Sequence, residues 1–322
     1  MIKNYFKVAF RGFWRHKLFT LINITGLSIG ISAALVIYLI AHFDLNFDKF
    51  HKDGDRIYRV VTNFSFSGSP GYNPGVCGPM PGAVKSQVTG LEDIAPLFRL
   101  FSQPNVFIPD NKTNRHSFKL QDDITLADDG YFRLFQYKWL AGSANSALNA
   151  PCQVVLTSEQ AKKYFPELTY DQMLGRTVIY DTIKTTVTGI VQTLQQNSDL
   201  TFHDFISFST ALANKDLKGA LRLHNWGGTS PAMQLFVKVS PGTTVAHTEQ
   251  QLNDILKRNN PPKAGRVQEF RLQPLADIHF NPNYGTFNGR IANKTTLYEL
   301  FGLALFLLLL GCINFILSLI HI

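Results

Sequence analysis

The sequence predicts a membrane protein in which two transmembrane α-helices flank a large extracytoplasmic domain of the α+β class. Residues 18–43 contain no Asp, Glu, Lys or Arg, and a second uncharged run covers residues 301–320. A spanning helix needs about 20 apolar residues, whereas the apolar core of a cleavable signal has roughly 7 to 15. Between the two runs, short strand and helix patterns alternate, which is typical of an α+β domain.

The segment before the first apolar run, residues 1–17, is basic and contains no Asp or Glu. Its cations recur at every fourth position, so on a helix they form one charged stripe beside a face rich in aromatic residues. This pattern predicts a cytoplasmic amphipathic helix that lies in the membrane interface and contacts anionic lipids. The predicted interface residues are Lys3, Lys7, Arg11, Trp14, Arg15 and Lys17. A soluble helix or the basic start of a signal peptide is the alternative, and the length of residues 18–43 favours a span.

The charge distribution predicts the topology. The chain has 31 Lys and Arg against 23 Asp and Glu, a net charge of +8, and five of these cations lie in the first 17 residues. Because the excess flanks a span, we predict no nucleic-acid partner. The positive-inside rule places the N-terminus in the cytoplasm. We therefore predict spans at residues 18–43 and 299–322 and an extracytoplasmic domain at residues 44–298.

Small residues in the first span predict a helix partner. Gly26 and Gly30 have the G-x-x-x-G spacing, which lets a neighbouring helix approach closely. The alternative is that glycine is simply common in membrane helices.

The chain contains three cysteines, of which Cys312 lies in the second apolar run. Cys77 and Cys152 are the pair left in the outer domain, and without a disulfide framework we expect two unpaired thiols. The sequence alone leaves open whether they pair.

Local patterns predict the elements of the outer domain. Alternation over residues 58–66 predicts a strand with one face more buried than the other. Residues 154–156 predict a strand, and the helix after it begins with the capping-box spacing of Thr157 and Gln160. Two β-branched runs around residues 181–183 predict a hairpin.

The later part of the domain repeats the order of strand, turn and helix. Residues 235–239 predict a strand, Pro241 and Gly242 a turn, and residues 266–278 a further strand. The intervening helix has an apolar inner face made of Val245, Leu252, Ile255 and Leu256. Residues 68–82 hold five Gly and four Pro, which predicts a mobile loop.

No catalytic or nucleotide-binding motif is recognisable, since the chain has no H-E-x-x-H, no C-x-x-C and no G-x-x-x-x-G-K-[ST]. We therefore predict no catalytic residue, no cofactor, no metal site and no enzyme activity, so a partner must supply any energy from ATP. His51 and the aspartates beside it are interpreted as a solvated turn in which Gly54 allows the bend. Other polar clusters are interpreted as surface or turn residues: Asp122, Asp123, Asp128, Asp129, His203, Asp204 and His279.

An ordered set of stretches resembles FtsX-like ABC transporter permeases, and more narrowly the type with a MacB-like periplasmic core domain. After the basic N-terminal segment these are GLSIGISAALVIYLI, FDKFHKDGDRIYRVV, PMPGAVKSQVTGLEDIAPLFRL, DGYFRLFQYKWLAG, VVLTSEQAKKYFPE with LGRTVIYD and TVTGIV, and LQPLADIHF. No single stretch is specific, but their order matches the family over essentially the whole chain.

The resemblance implies a permease subunit of the bacterial inner membrane. Its first two helices would flank a periplasmic domain built of a porter-like α+β lobe and a smaller lobe. The implied partners are a separate ABC ATPase subunit, a second permease copy or half, and a periplasmic adaptor. ATP hydrolysis by the partner would move the outer domain to export a drug, a peptide or a lipoprotein.

The chain departs from the family at its C-terminus, because the family continues with a cytoplasmic segment and two further helices. We therefore expect a fragment. Residues 317–322 also differ from the Asn- and Leu-rich continuation of the family and match the translation of a transposase-end sequencing adapter. We expect these six residues to be non-native.

Two other classes share the two-span plan. A membrane sensor, such as a chemoreceptor or the input domain of a histidine kinase, predicts a signalling helix after the second span. A polysaccharide chain-length regulator predicts a long, helix-rich outer domain, which the repeated strand and helix patterns disfavour. Topology alone does not choose between permease and sensor; the resemblance favours the permease.

Overall fold

The computed structural model describes Arg11, Trp14, Arg15 and residues 17–109 and 116–320. The chain divides into two compact units. The helical unit comprises the residues up to Asn46 and from Ala292 onward, and the sheet unit is Phe47–Ile291.

The predicted N-terminal amphipathic helix falls mostly outside the described residues, Lys3 and Lys7 included. The other predicted interface residues are helical and exposed: Arg11, Trp14, Arg15 and Lys17. At the opposite end, residues 321 and 322 of the segment expected to be non-native also lie outside the described residues.

The helices are α1 (Lys17–Leu45), α2 (Met80–Gln87), α3 (Asp129–Phe135), α4 (Ser158–Tyr164), α5 (Tyr170–Met173), α6 (Phe208–Ala213), α7 (Lys215–Leu221), α8 (Val245–Asn259) and α9 (Lys294–Ile320). The strands are β1 (Ile57–Phe66), β2 (Ser69–Asn73), β3 (Leu91–Arg99), β4 (Val106–Ile108), β5 (His116–Phe118), β6 (Ile124–Ala127), β7 (Trp139–Ala141), β8 (Gln153–Thr157), β9 (Thr177–Tyr180), β10 (Ile183–Val191), β11 (Asp204–Ser207), β12 (Met233–Val239) and β13 (Arg266–Pro274). Two 3₁₀ turns cover Gly54–Arg56 and Leu275–Phe280.

The helical unit contains two helices long and apolar enough to cross a membrane, over Thr20–Leu45 and Lys294–Ile316. Helix α9 begins before the predicted boundary at residue 299, because the polar turn at its start is also helical. The Nδ2 atom of Asn314 on α9 donates a hydrogen bond to Oδ1 of Asn23 on α1, at 3.1 Å.

The two glycines of the G-x-x-x-G spacing face α9. A Cβ atom at Gly30 would lie 3.3 Å from the backbone oxygen of Leu307, and one at Gly26 would lie 3.5 Å from Nδ2 of Asn314. The absence of side chains at these two positions therefore lets the backbones of α1 and α9 come close.

The described strands of the sheet unit join in one 13-stranded mixed sheet. Its order is β13-β1-β12-β3-β6-β11-β8-β10-β9-β4-β5, with β2 added to β1 and β7 added to β10. The pairs β6–β11 and β8–β10 are parallel, and β1 lies antiparallel between β12 and β13. The two-lobed division implied by the resemblance is not seen in this unit, because the sheet runs through it without interruption.

The sheet has an apolar cluster on each face. In β8, Val154 and Leu156 belong to one cluster and Val155 to the other, as the side-chain period of a strand requires. Helices α2, α4 and α8 cover the first cluster, and α3 covers the second. Because both faces are covered, the alternation predicted for β1 is wrong: Val60 and Val61 are both fully buried.

Several local predictions are confirmed. Strands β9 and β10 form the predicted hairpin, with Tyr180 paired to Ile183. Strand β12 is followed by α8, whose apolar residues Leu252, Ile255 and Leu256 are buried.

The capping box predicted at Thr157 is wrong, because its side chain makes no cap hydrogen bond. Gln160 instead donates to the hydroxyl of Tyr164 at 2.6 Å.

The mobile loop predicted for residues 68–82 is also wrong. Part of it is strand β2, which pairs with β1, and its last residues begin helix α2. Between them, Val76 is fully buried. Gly75 makes this possible, because a Cβ at that position would overlap the backbone carbonyl oxygens of Ser230 and Met233.

Replacing Gly75 should therefore destabilise the sheet unit, whereas replacing Gly82 should not. Gly82 lies in α2 with no atom within 4 Å of the position of a Cβ. We expect Gly75→Ala to lower the free energy of unfolding by about 1–3 kcal/mol or more through overpacking. Gly82→Ala should leave it unchanged or raise it by up to about 1 kcal/mol, the helix preference of Ala over Gly. Denaturant unfolding of the detergent-solubilised protein measures both, and equal effects would contradict the packing of Gly75.

Candidate functional site

The segment that follows α1, residues 47–56, is packed into the sheet unit. The interpretation of this segment as a solvated turn is wrong, because Asp48 is 4% exposed and His51 is 7% exposed. Gly54 is not the residue that bends it, since the left-handed conformations belong to Asp48, with φ 55°, and Asp53, with φ 56°.

The Asp48 carboxylate binds the loop at residues 197–199. Ser198 Oγ donates to one carboxylate oxygen at 2.5 Å, and the backbone N–H of Asp199 donates to the other at 3.1 Å. The backbone N–H of Asp48 in turn donates to the carbonyl of Asn197 at 2.9 Å. Three hydrogen bonds therefore join the start of the sheet unit to a loop about 150 residues away in sequence.

A ring stack joins the first residue of the sheet unit to the turn after β13. The rings of Phe47 and His279 stack with centroids 3.6 Å apart and planes 12° apart. Nδ1 of His279 lies 3.2 Å from a carboxylate oxygen of Asp199. Burial raises the pKa of Asp199, and the hydrogen bond with His279 opposes that rise. The surface position expected for His279 is wrong, since it is 2% exposed.

We call the five residues that meet here the junction anchor: Phe47, Asp48, Ser198, Asp199 and His279. It joins the segment after α1 to the 3₁₀ turn Leu275–Phe280, beyond which the chain continues toward α9. Carboxylate hydrogen bonds and a buried ring stack hold a fixed geometry better than exposed side chains do.

Arg59 on β1 is a buried cation that interacts with the charge of Asp199 in the junction anchor. It is 1% exposed, and its guanidinium donates twice to Oε1 of Gln273, at 3.0 and 2.7 Å, and to the carbonyl of Gly285 at 2.9 Å. Burial lowers the pKa of Arg59 to about 10, and the nearby charge of Asp199 opposes this. The guanidinium also lies 5.6 Å from the ring centre of Phe287. Arg59 therefore holds the segment that leads out of the sheet unit.

A network of two cations and two carboxylates fixes the remainder of the segment. Lys238 on β12 lies 3.0 Å from Asp53 and 3.2 Å from Glu92 on β3. Arg56 lies 3.0 Å from Asp53 and 2.6 Å from Glu92. The hydrogen bond from Lys238 lowers the pKa of Asp53, and that from Arg56 lowers the pKa of Glu92. These carboxylates therefore stay ionised at neutral pH and tie the segment to two central strands.

A second polar cluster lies around β11. Asp204 is fully buried and accepts hydrogen bonds from the hydroxyls of Tyr164, at 2.9 Å, and Tyr180, at 2.6 Å. The surface position expected for Asp204 is wrong. His203 beside it has potential ligand atoms within 4.8 Å of those of Asp122 and Asp123. Exposed acidic groups often gather without an ion, and this geometry alone does not identify a metal site.

The predicted site residues that the structure describes belong to the helical unit, whereas the junction anchor belongs to the sheet unit. The described interface residues and the two glycines of the first span lie in the helical unit. Sequence reasoning missed Arg59, Asp199 and their partners as a cluster. One feature of the sequence could have predicted this cluster, namely Arg59 within the apolar stretch IYRVV. An arginine inside a buried strand needs polar partners.

The comparisons with known proteins concern mainly the sheet unit. The family model described as MacB-like periplasmic core domain matches residues 20–255. No curated protein matches.

Solved structures are also similar. A domain of a protein described as a permease, from Porphyromonas gingivalis, superimposes with TM-score 0.56 at 18% identity, covering 79% of this chain and 99% of that one. This likeness shows that the two share a fold. The periplasmic region of MacB from Actinobacillus actinomycetemcomitans matches with TM-score 0.44 at 18% identity, covering 67% of this chain and 88% of that one.

Removing the charge of Asp48 should loosen the junction anchor. We expect Asp48→Asn to lower the free energy of unfolding by about 1.5–3 kcal/mol, the contribution of a buried hydrogen bond to a charged group. Asp55→Asn changes an exposed aspartate of the same segment and should have an effect within about 0.5 kcal/mol. Denaturant unfolding of the detergent-solubilised protein measures both variants. Equal stabilities of the two would show that the Asp48 contacts do not hold the segment.

Proposed function

This chain belongs to the family of MacB-like periplasmic core domains, and from that membership we propose that it is a permease subunit of an ABC transporter. A separate ATPase subunit in the cytoplasm, the partner that the family implies, supplies the energy. ATP hydrolysis changes the position of the membrane helices, and the sheet unit moves in response.

The junction anchor is the observation that carries this proposal. A displacement of α1 reaches the sheet unit through the covalent chain at Asn46 and Phe47. A flexible turn at this point would absorb the displacement by rotating its backbone. Here Asp48 is held by three hydrogen bonds and Phe47 by a ring stack, so the segment transmits the displacement to the loop at residues 197–199.

Close contact of the two spans supports the same mechanism. Gly26 and Gly30 pack α1 against α9, and the hydrogen bond between Asn23 and Asn314 fixes their register. A pair of helices packed in this way moves as one body.

The location and partners complete the proposal. The N-terminus lies in the cytoplasm, residues 44–298 lie in the periplasm, and the spans lie in the bacterial inner membrane, as the positive-inside rule favours. A second permease copy or half and a periplasmic adaptor complete the assembly. The substrate is a drug, a peptide or a lipoprotein.

The native cysteines provide a test of topology. Cys152 is exposed on the sheet unit, whereas Cys77 is buried and burial raises the pKa of its thiol to about 12. Cys312 lies within α9. We expect a membrane-impermeant maleimide to label intact spheroplasts expressing the protein, and Cys152→Ser to abolish that labelling. Labelling that requires lysis of the cells would place the sheet unit in the cytoplasm and overturn the proposal.

Coupling is tested with a fluorophore on Cys152 of the full-length protein, reconstituted with its ATPase in lipid nanodiscs. We expect hydrolysis only when the ATPase is present, and an ATP-dependent change of emission. Asp48→Asn should reduce the emission change per ATP about two- to thirtyfold, which corresponds to about 0.5–2 kcal/mol of coupling energy. Asp55→Asn is the matched control. Hydrolysis by this chain alone, or an emission change unaffected by Asp48→Asn, would contradict the proposed mechanism.

A further inference from the structure

A cavity of about 470 Å³ lies between α8 and β13, entirely within the sheet unit. Residues 246–257 of α8 form one wall, and residues 266–271 of β13 form the other. Residues 260–263, which lead from the helix to the strand, and Gly227 complete the lining. We call this cavity the edge groove. Its volume lies in the range of about 300–1,000 Å³ that is usual for ligand sites, and it contains no residue of the junction anchor.

Strand β13 is an edge strand of the sheet, so one side of its backbone has no neighbouring strand. At Phe270 this side is occupied by a side chain of α8. The N–H of Phe270 donates to Oδ1 of Asn253 at 2.8 Å, and its C=O accepts from Nδ2 of Asn253 at 2.9 Å. The amide of Asn253 thus makes the two hydrogen bonds that a residue of an added strand would make.

Gln268 presents the same two backbone groups to the edge groove. Directions alternate along an antiparallel strand, and the pairing of β13 with β1 is regular, so the backbone of Gln268 faces the same side as that of Phe270. The neighbouring outward N–H groups are bonded, that of Leu272 to Glu249 at 2.8 Å and that of Arg266 to a backbone carbonyl at 2.9 Å. Among the described residues, none bonds to the outward N–H or C=O of Gln268. An unpaired strand edge is a template for an extended peptide.

The charges of the lining favour an acidic peptide. Four cations and two carboxylates line the edge groove. Both carboxylates are already bonded, since Glu249 and Glu269 each accept a hydrogen bond from Arg271 at 3.1 Å. Lys257 and Lys263 are exposed, and neither forms an ion pair with a described residue. The charge left without compensation is therefore positive, and it attracts carboxylates.

The strand edge selects a peptide rather than a small anion. Exposed lysines alone suit any anion. The outward N–H and C=O of Gln268 instead require an acceptor and a donor at the spacing of a β-ladder, and a residue of an extended peptide supplies both. An ionised carboxylate supplies acceptors only.

We propose that the edge groove binds an extended acidic segment of a partner protein as a short added strand. One residue of the segment pairs with the backbone of Gln268, and acidic side chains beside it contact Lys257 and Lys263. Asn253 occupies the next position of the edge, so the added strand ends before Phe270. The binding needs neither ATP nor a transported substrate, so its failure would not bear on the proposed transport function.

The test measures peptide binding to the detergent-solubilised protein by fluorescence anisotropy. The probe is a fluorescein-labelled, C-terminally amidated heptapeptide of alternating glutamate and valine. We expect saturable binding, and at least about tenfold weaker binding when lysine replaces glutamate or when every peptide nitrogen is methylated, which keeps the charge but removes the main-chain donors. Equal affinity of the methylated peptide, or no binding of the parent peptide at millimolar concentration, would overturn the proposal.

Inorganic phosphate distinguishes a peptide site from a site for small anions. At matched ionic strength it should not displace the labelled peptide, because it cannot pair with the strand edge. Full displacement by phosphate would show that the edge groove binds small anions and would overturn the peptide assignment.

Paired lysine variants test the charge of the edge groove. Lys257→Gln with Lys263→Gln should weaken binding of the acidic peptide about tenfold, because both uncompensated cations are lost. Lys215→Gln with Lys218→Gln removes two exposed lysines of α7, outside the groove, and should change the affinity less than about twofold. Equal weakening by the two double variants would contradict recognition of the acidic side chains at this site.

Proline variants test the strand edge. Gln268→Pro removes the N–H that faces the groove, and proline is tolerated where the N–H of an edge strand faces outward. Val267→Pro is the control, because by the same alternation the N–H of Val267 faces β1. We expect Gln268→Pro to weaken peptide binding at least about tenfold, with a smaller fall in the midpoint of thermal unfolding than Val267→Pro causes. Unchanged peptide affinity of Gln268→Pro, or equal falls in the two midpoints, would overturn the proposed pairing.

Discussion

The buried carboxylate of Asp48 is the constraint on which the arrangement of the sheet unit around its first residues depends. A buried charge must be compensated by hydrogen bonds or by an opposite charge. Asp48 obtains its compensation from Ser198 and Asp199, so the loop carrying those residues must lie against the start of the unit. Asp199 in turn requires His279, and His279 is stacked on Phe47. These contacts form a closed circuit from Asp48 through Asp199 and His279 back to Phe47. The circuit brings the first and last parts of the sheet unit together.

The sheet provides the rigid body to which this circuit is attached. Strand β1 lies between β12 and β13, and apolar clusters cover both faces. Such a doubly covered sheet resists bending, because any bend would open packed surfaces on one side. The junction anchor is therefore attached to a stiff part of the sheet unit. The same reasoning explains Arg59: it is 1% exposed in a doubly covered strand, so its guanidinium needs protein partners, which are Gln273 and Gly285.

The sequence by itself determined the features that depend on near neighbours. The two apolar helices follow from uninterrupted apolar length, the β9–β10 hairpin from two β-branched runs around a turn, and the inner face of α8 from a helical period. Only the tertiary structure decided which polar residues are buried. Asp48 and Ser198 are 150 residues apart, and Gly75 approaches carbonyl groups of Ser230 and Met233, so no local pattern contains either contact. A composition rich in Gly and Pro, or in Asp and His, predicts an exposed turn when read locally, and it becomes a packed segment when distant backbone and side chains supply its partners.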